Sequence, residues 1–264
     1  MTQVWDAISG EVAYALAFDL QHSLEYFDAD AVLIRADASA TDPTKVDVRK
    51  RFLRVFAAER AFVRHVWSVI APLAANAQGQ VVVLFDVDQT LGSRKGRDGE
   101  SATLIRPAAV PLMERLRDAG VLMGILTTRG ISDLQAGLED ALHLKGVAPY
   151  LDPRHLTATE MPEQAPTAAT TSSDTVPEEQ LARFRHLLLP AYADLAAFRA
   201  WRDERGRPLP VKDLDKLLQL AAIVERHPED VFVVVDDRDY AGLLAGPEAR
   251  LVGVHLPEDE RAHF

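Results

Sequence analysis

The 264-residue chain has no cysteine, which excludes disulfides, a thiolate metal site and a thiol nucleophile. No apolar run approaches the roughly 18 residues that a membrane-spanning helix needs, and no charged-then-apolar signal segment opens the chain. A cytoplasmic location without a membrane partner is the expectation. Positive charge is scarce: 29 lysines and arginines face 40 aspartates and glutamates, a net charge of −11. Nucleic acid needs cations to neutralise its phosphates, so this balance disfavours a nucleic-acid partner. Apolar residues are not scarce. At 48% they are ample for a packed core, in one sizeable domain or a core with an appendage.

The stretch that organises the chain runs from Val81 to Leu91. Five consecutive apolar residues lead into Asp86 and Asp88, spaced i, i+2, followed by Thr90 and Gly92. A continuous apolar run of strand length suits a strand buried on both faces of a parallel sheet. Such sheets bind ligands just beyond the carboxyl ends of their strands, which places both carboxylates at a crevice. Two carboxylates that close call for a shared positive group, for instance a hard cation such as Mg²⁺. A carboxylate there can also serve as a nucleophile while its neighbour handles protons.

Residues 1–78 read as helical. Val4, Ile8, Val12, Leu16, Leu20 and Leu24 recur at spacings of three and four, and after a loop near 36–43 a second run carries Phe52, Phe56, Phe62, Val63, Val66, Trp67, Ile70 and Leu73. Their spacing marks these aromatics as core. Residues 74–80 form a small polar connector. After the first strand, 92–100 reads as a glycine-rich charged loop whose basic residues can hold an anionic substrate. A helix follows from about Pro107 to a stop at Gly120.

A second apolar strand at 121–126 ends in Thr127 and Thr128, hydroxyls suited to a phosphate oxygen at a helix N-terminus. Ile131, Leu134, Leu138 and Leu142 continue as an amphipathic helix. Residues 157–180 shift to Thr, Ala, Pro, Ser and Glu, a flexible linker or mobile lid. Helical stretches are expected at 177–189 and 191–205, separated at Pro190. Lys212 opens a helix bearing Leu214, Leu217, Leu218 and Leu220. A third strand at 231–235 ends in Asp236 and Asp237, and a last short one covers 250–254. Three strand ends supplying Asp-x-Asp, Thr-Thr and Asp-Asp look like one site.

In this order the motifs resemble those of the haloacid dehalogenase superfamily of phosphotransferases. Asp86-x-Asp88-x-Thr90 is similar to its first motif, Thr127 or Thr128 to its second, Lys212 to its third and Asp236-Asp237 to its fourth. The stretch from Ile105-Arg106-Pro107 to Gly120 also resembles the region between the first two. The resemblance implies an α/β fold, a Rossmann-like three-layer parallel sheet with an N-terminal helical region (1–78) and a small helical insert. The core would span 79–156 and 208–264, with linker and insert, a possible small cap or lid, at 157–207.

It further implies a Mg²⁺-dependent phosphomonoester hydrolase acting on a small phosphorylated substrate. Asp86 would be the nucleophile and Asp88 the acid and base. Thr127, Thr128 and Lys212 would hold phosphoryl oxygens. Asp86, Asp88 through its carbonyl, Asp236 and Asp237 would form the metal site. Gln89 departs from the pattern by standing where the family most often has glycine. The Asp236-Asp237-Arg238 run also resembles the phosphatase domain of polynucleotide kinases. The competing expectations are a catalytically idle scaffold that binds a protein partner through the helical N-terminus, a phosphomutase, and a phosphatase acting on nucleic-acid or protein phosphate.

Overall fold

The computed structural model of the chain describes residues 43–95, 102–106, 108–127, 148–152, 176–246 and 250–262. Residues 1–42, Thr128, the expected helix at 131–142, and 157–175 of the expected linker lie outside the described residues.

A strand with five apolar residues has no polar face to offer water, so it must lie between two apolar layers. Val81–Phe85 (β1) does so, with every residue buried. Side chains alternate across a strand. Val81, Val83 and Phe85 pack on one face with Phe62, Val66 and Ile70 of helix Pro43–Asn76 (α1) and with Leu112, Met113 and Leu116 of helix Ala109–Asp118 (α2). Val82 and Leu84 pack on the other face with Leu217 and Leu220 of helix Val211–Arg226 (α5). Each such side chain contributes roughly 1.5–3 kcal/mol through burial, so β1 is a main anchor of both layers.

After β1 come β2 (Gly92–Lys95), β3 (Ala102–Ile105) and β4 (Leu122–Ile125). Short helices α3 (Glu178–Phe184) and α4 (Leu195–Ala200) precede α5, which leads to β5 (Val231–Asp236) and β6 (Leu251–His255). The main sheet has the order β4-β1-β5-β6 and is parallel throughout, with Phe85 paired to Ile125 on one side and to Val235 on the other. The architecture is α/β and Rossmann-like in general terms. From β1 the chain steps outward to β4, then returns to the opposite side of β1 for β5. The direction of winding therefore reverses between β1 and β5, and a crevice opens at such a switch point.

The strands fall within a residue of the expected bounds. Two other expectations differ. Gly92–Lys95 is not loop but pairs antiparallel with Ala102–Ile105, Gly92 opposite Ile105. The apolar partner strand lies beyond the polar stretch, so reading residues 92–100 alone misses it; 96–100 lie outside the described residues. The N-terminal helix supplies core residues as its spacing predicts: Phe62, Val63, Val66 and Ile70 sit in the same core as β1.

The described part of the insert is also joined to that body. Its helical stretches are shorter than expected, at Glu178–Phe184 and Leu195–Ala200, the second starting at an Asp194 cap that accepts from Ala196 and Ala197 N–H. Leu181, Phe184 and Phe198 pack into the α5 side of the core, and Leu189 N–H donates to Leu243 C=O at 2.7 Å. No described helix is long and apolar enough to cross a membrane.

Candidate functional site

β1 and β5 are neighbours in register, so the residues that end them emerge side by side at the switch point. Asp86 N–H donates to Val235 C=O at 2.9 Å, which fixes Asp86 against the end of β5. Asp86, Asp236 and Asp237 converge there: all three are buried, and one carboxylate oxygen from each lies within 4.8 Å of the others. This buried acidic group can hold a metal ion.

Carboxylates this close and this dry need a counter-charge. Lys216 supplies one. Its Nζ donates to Asp86 Oδ1 and to Asp236 Oδ2, both at 2.6 Å, and the lysine is only 3% exposed. Asp236 has two more donors, the Tyr240 hydroxyl to Oδ2 at 3.0 Å and Arg238 N–H to Oδ1 at 2.8 Å. Asp236 is thus an oriented support, while Asp86 has fewer fixed partners.

Burial is the largest influence on Asp86 and pushes its pKa up to about 8; Lys216 offsets part of the rise, and Asp236 and Asp237 add to it. Burial likewise raises Asp237, reinforced by Asp236. Lys216 moves in the direction of its charge: burial opposes ionisation, but Asp236 and Asp86 outweigh it and hold Nζ protonated beyond the ordinary lysine range. Asp213, which precedes Lys216 by just under one turn of α5, is also buried and is raised to about 6, chiefly by desolvation, with Arg238 opposing.

The structure thus brings together Asp86, Asp236 and Asp237 as expected from the sequence. Asp88 is half-buried on the turn after β1 and lies outside the group of three. Thr127 is buried just past β4, on the strand beside β1. Lys212 is not at the carboxylates but exposed; Lys216 takes that place.

The two lysines are four residues apart and so lie nearly on one helix face. What separates them is depth, just over one turn or about 6 Å along the axis. The sequence signal was present: Lys216 interrupts the stripe formed by Leu214, Leu217, Leu218 and Leu220, whereas Lys212 stands at the solvent-facing start of the helix. Gln89, between Asp88 and Thr90, adopts φ 64°, the left-handed region in which glycine is at ease.

A second group, Glu204, Asp239 and His255, also places ligand-type atoms within 4.8 Å, but it is less buried. The guanidinium of Arg261 approaches His255 Nε2 at 3.4 Å, a poor neighbour for a cation. Comparison of the chain with protein-family models, with curated proteins and with solved structures gave no match.

Two outcomes follow from this geometry. Lys216→Met should cost about 3–5 kcal/mol near neutral pH, because it removes the buried ammonium that Asp86 and Asp236 share, while Lys212→Met should stay within about 0.5 kcal/mol. Denaturant midpoints of the two variants check this, and equal midpoints would contradict it. The second concerns pH. Asp86 binds its proton more tightly in the folded state, so its contribution is full below the ordinary aspartate pKa of 3.8 and is lost as pH rises through about 8. In chelator, the Tm of Asp86→Asn should therefore gain on that of the wild type between about pH 5 and about pH 8. A gap independent of pH would refute the burial argument.

Proposed function

We propose that the chain is a Mg²⁺-dependent phosphomonoester hydrolase of haloacid dehalogenase type, working through a phosphorylated Asp86. The observation that carries this reading is the meeting of Asp86, Asp236 and Asp237 with Lys216 at the carboxyl ends of β1 and β5. The donor set suits Mg²⁺: it is all carboxylate oxygen, and one oxygen from each of the three aspartates lies within 4.8 Å of the others. Asp86, Asp236, Asp237 and the carbonyl of Asp88 would hold the ion. When bound, Mg²⁺ offsets negative charge on the phosphoryl group and on the carboxylate facing it.

The residues perform the rest. A carboxylate oxygen of Asp86 attacks phosphorus while the bond to the ester oxygen breaks, and the departing oxygen takes a proton from Asp88. Asp88, now ionised, removes a proton from water as the water oxygen attacks phosphorus. Inorganic phosphate leaves and Asp86 is restored. Thr127 and Lys216 would steady the phosphoryl oxygens, with Lys216 in the role that the sequence suggested for Lys212. Asp86 attacks only when ionised, which Lys216 favours and burial opposes. The acidic composition favours a small phosphorylated substrate over nucleic acid.

A panel of phosphorylated metabolites assayed with Mg²⁺ and with EDTA tests this. The expected outcome is turnover that EDTA abolishes and that Asp86→Asn reduces by roughly 10³-fold or more, since an amide is a poor nucleophile. Full activity in chelator, or a wild-type rate in Asp86→Asn, would end the reading.

A further inference from the structure

Among the described residues Arg106 has the largest fully buried side chain, and that side chain carries a charge. A guanidinium so placed must be fully partnered. Nε donates to Glu59 Oε1 and Oε2 at 3.1 and 3.2 Å, and Nη2 lies 2.9 Å from Glu59 Oε1. Nη1 donates to Thr90 C=O at 2.9 Å, and Nη2 donates to Glu260 C=O at 2.9 Å. The guanidinium carbon lies 3.5 Å from the centroid of the Phe62 ring. Glu59 Oε2 also accepts Ala108 N–H at 2.9 Å. One planar group therefore joins α1, the turn after β1, the approach to α2 and the C-terminal segment.

Of these segments, the turn is the one that carries Asp86 and Asp88. Its internal bonds are local: Leu91 N–H to Asp86 C=O at 3.3 Å, and Thr90 and Gly92 N–H to Val87 C=O at 3.3 and 2.9 Å. It also holds Gln89 at positive φ, a conformation that persists only when the surroundings impose it. Residues 89–91 are tied to other segments by Arg106, through Nη1 to Thr90 and its own N–H to Leu91 C=O at 2.8 Å, and by Ala262, whose N–H donates to Gln89 C=O at 2.8 Å, while Asp86 is tied to β5 through Val235 C=O. A buried ion pair gives little net stability relative to apolar residues of similar volume. What an arginine fork adds is direction, several bonds at fixed angles from one rigid group.

We propose that Arg106, held by Glu59, is a positioning residue that sets the placement of Asp86 and Asp88 through the carbonyl of Thr90. The proposal rests on the hydrolase reading above.

The test uses the full chain with Arg106→Lys, which keeps the charge but not the fork, and Glu59→Gln, which keeps an acceptor but not the ion pair. Phe198→Leu, in the core on the opposite face of the sheet, controls for lost stability. With an accepted phosphate ester, Arg106→Lys should lower kcat about 100-fold, the scale of an ångström-level misplacement, with KM within about threefold. Amide exchange at Leu91 and Gly92 should quicken relative to β5. Phe198→Leu should lower Tm and leave kcat near wild type.

A folded Arg106→Lys with wild-type kcat would overturn the proposal, as would an equal kcat loss in Phe198→Leu. Should Arg106→Lys fail to fold, Glu59→Gln decides: a kcat about tenfold lower supports the proposal and an unchanged kcat overturns it. A wild type that hydrolyses no ester would instead remove the hydrolase reading and with it the catalytic claim. Exchange at Leu91 and Gly92 would then judge the anchoring alone, and unaltered exchange in Arg106→Lys would overturn that as well.

Discussion

Three buried aspartates cannot share one crevice unless positive charge is brought to them, and the rest of the molecule is arranged around that requirement. The winding of the sheet reverses between β1 and β5, so Asp86 and Asp236 emerge as neighbours. Helix α5 lies on the sheet at the depth where Lys216, rather than Lys212, reaches both carboxylates. The turn after β5 brings Tyr240 and Arg238 N–H onto Asp236. That turn lies so close to β6 that a Cβ on Gly253 would come within 1.9 Å of Ala241 C=O, which leaves glycine as the residue that fits.

Lys216 balances only part of the charge. One ammonium faces three carboxylates, and burial favours the protonated form of Asp86. Such a site suits a divalent cation because the ion relieves a repulsion that the fold has already imposed. On the proposed reading, the same burial that makes the acidic cluster costly would strengthen its electrostatic interactions with a phosphoryl group, because a low-dielectric surrounding screens them little.

The polar framework extends beyond the strand ends. Glu59 and Arg106 are as deeply buried as the apolar core, and they connect a helix at one end of the chain to a segment at the other by way of the turn that follows β1. The N-terminal helix is in this way part of what supports Asp86 and Asp88.

Much of this was legible before the structure. Apolar runs ending in acids located β1 and β5 because a parallel strand buried on both faces leaves a continuous pattern, and Asp86, Asp236 and Asp237 followed from the strand ends. Partnership was not legible, and depth only faintly. Periodicity places Lys212 and Lys216 on one face, and the one mark of the deeper lysine is that Lys216 interrupts the leucine stripe. Glu59 and Arg106 are 47 residues apart, and no local pattern links them. The β2–β3 ribbon was hidden because Gly92–Lys95 carries the composition of a loop and becomes strand only by pairing with Ala102–Ile105.

The most direct measurement of the central claim is mass spectrometry of the Asp88→Asn protein, acid-quenched during exposure to an accepted phosphate ester and Mg²⁺. With the nucleophile intact and water activation impaired, one phosphoryl group per chain should accumulate, located on the peptide containing Asp86. Phosphate on another residue, or turnover by the wild type with no phosphorylated protein in either form, would contradict it.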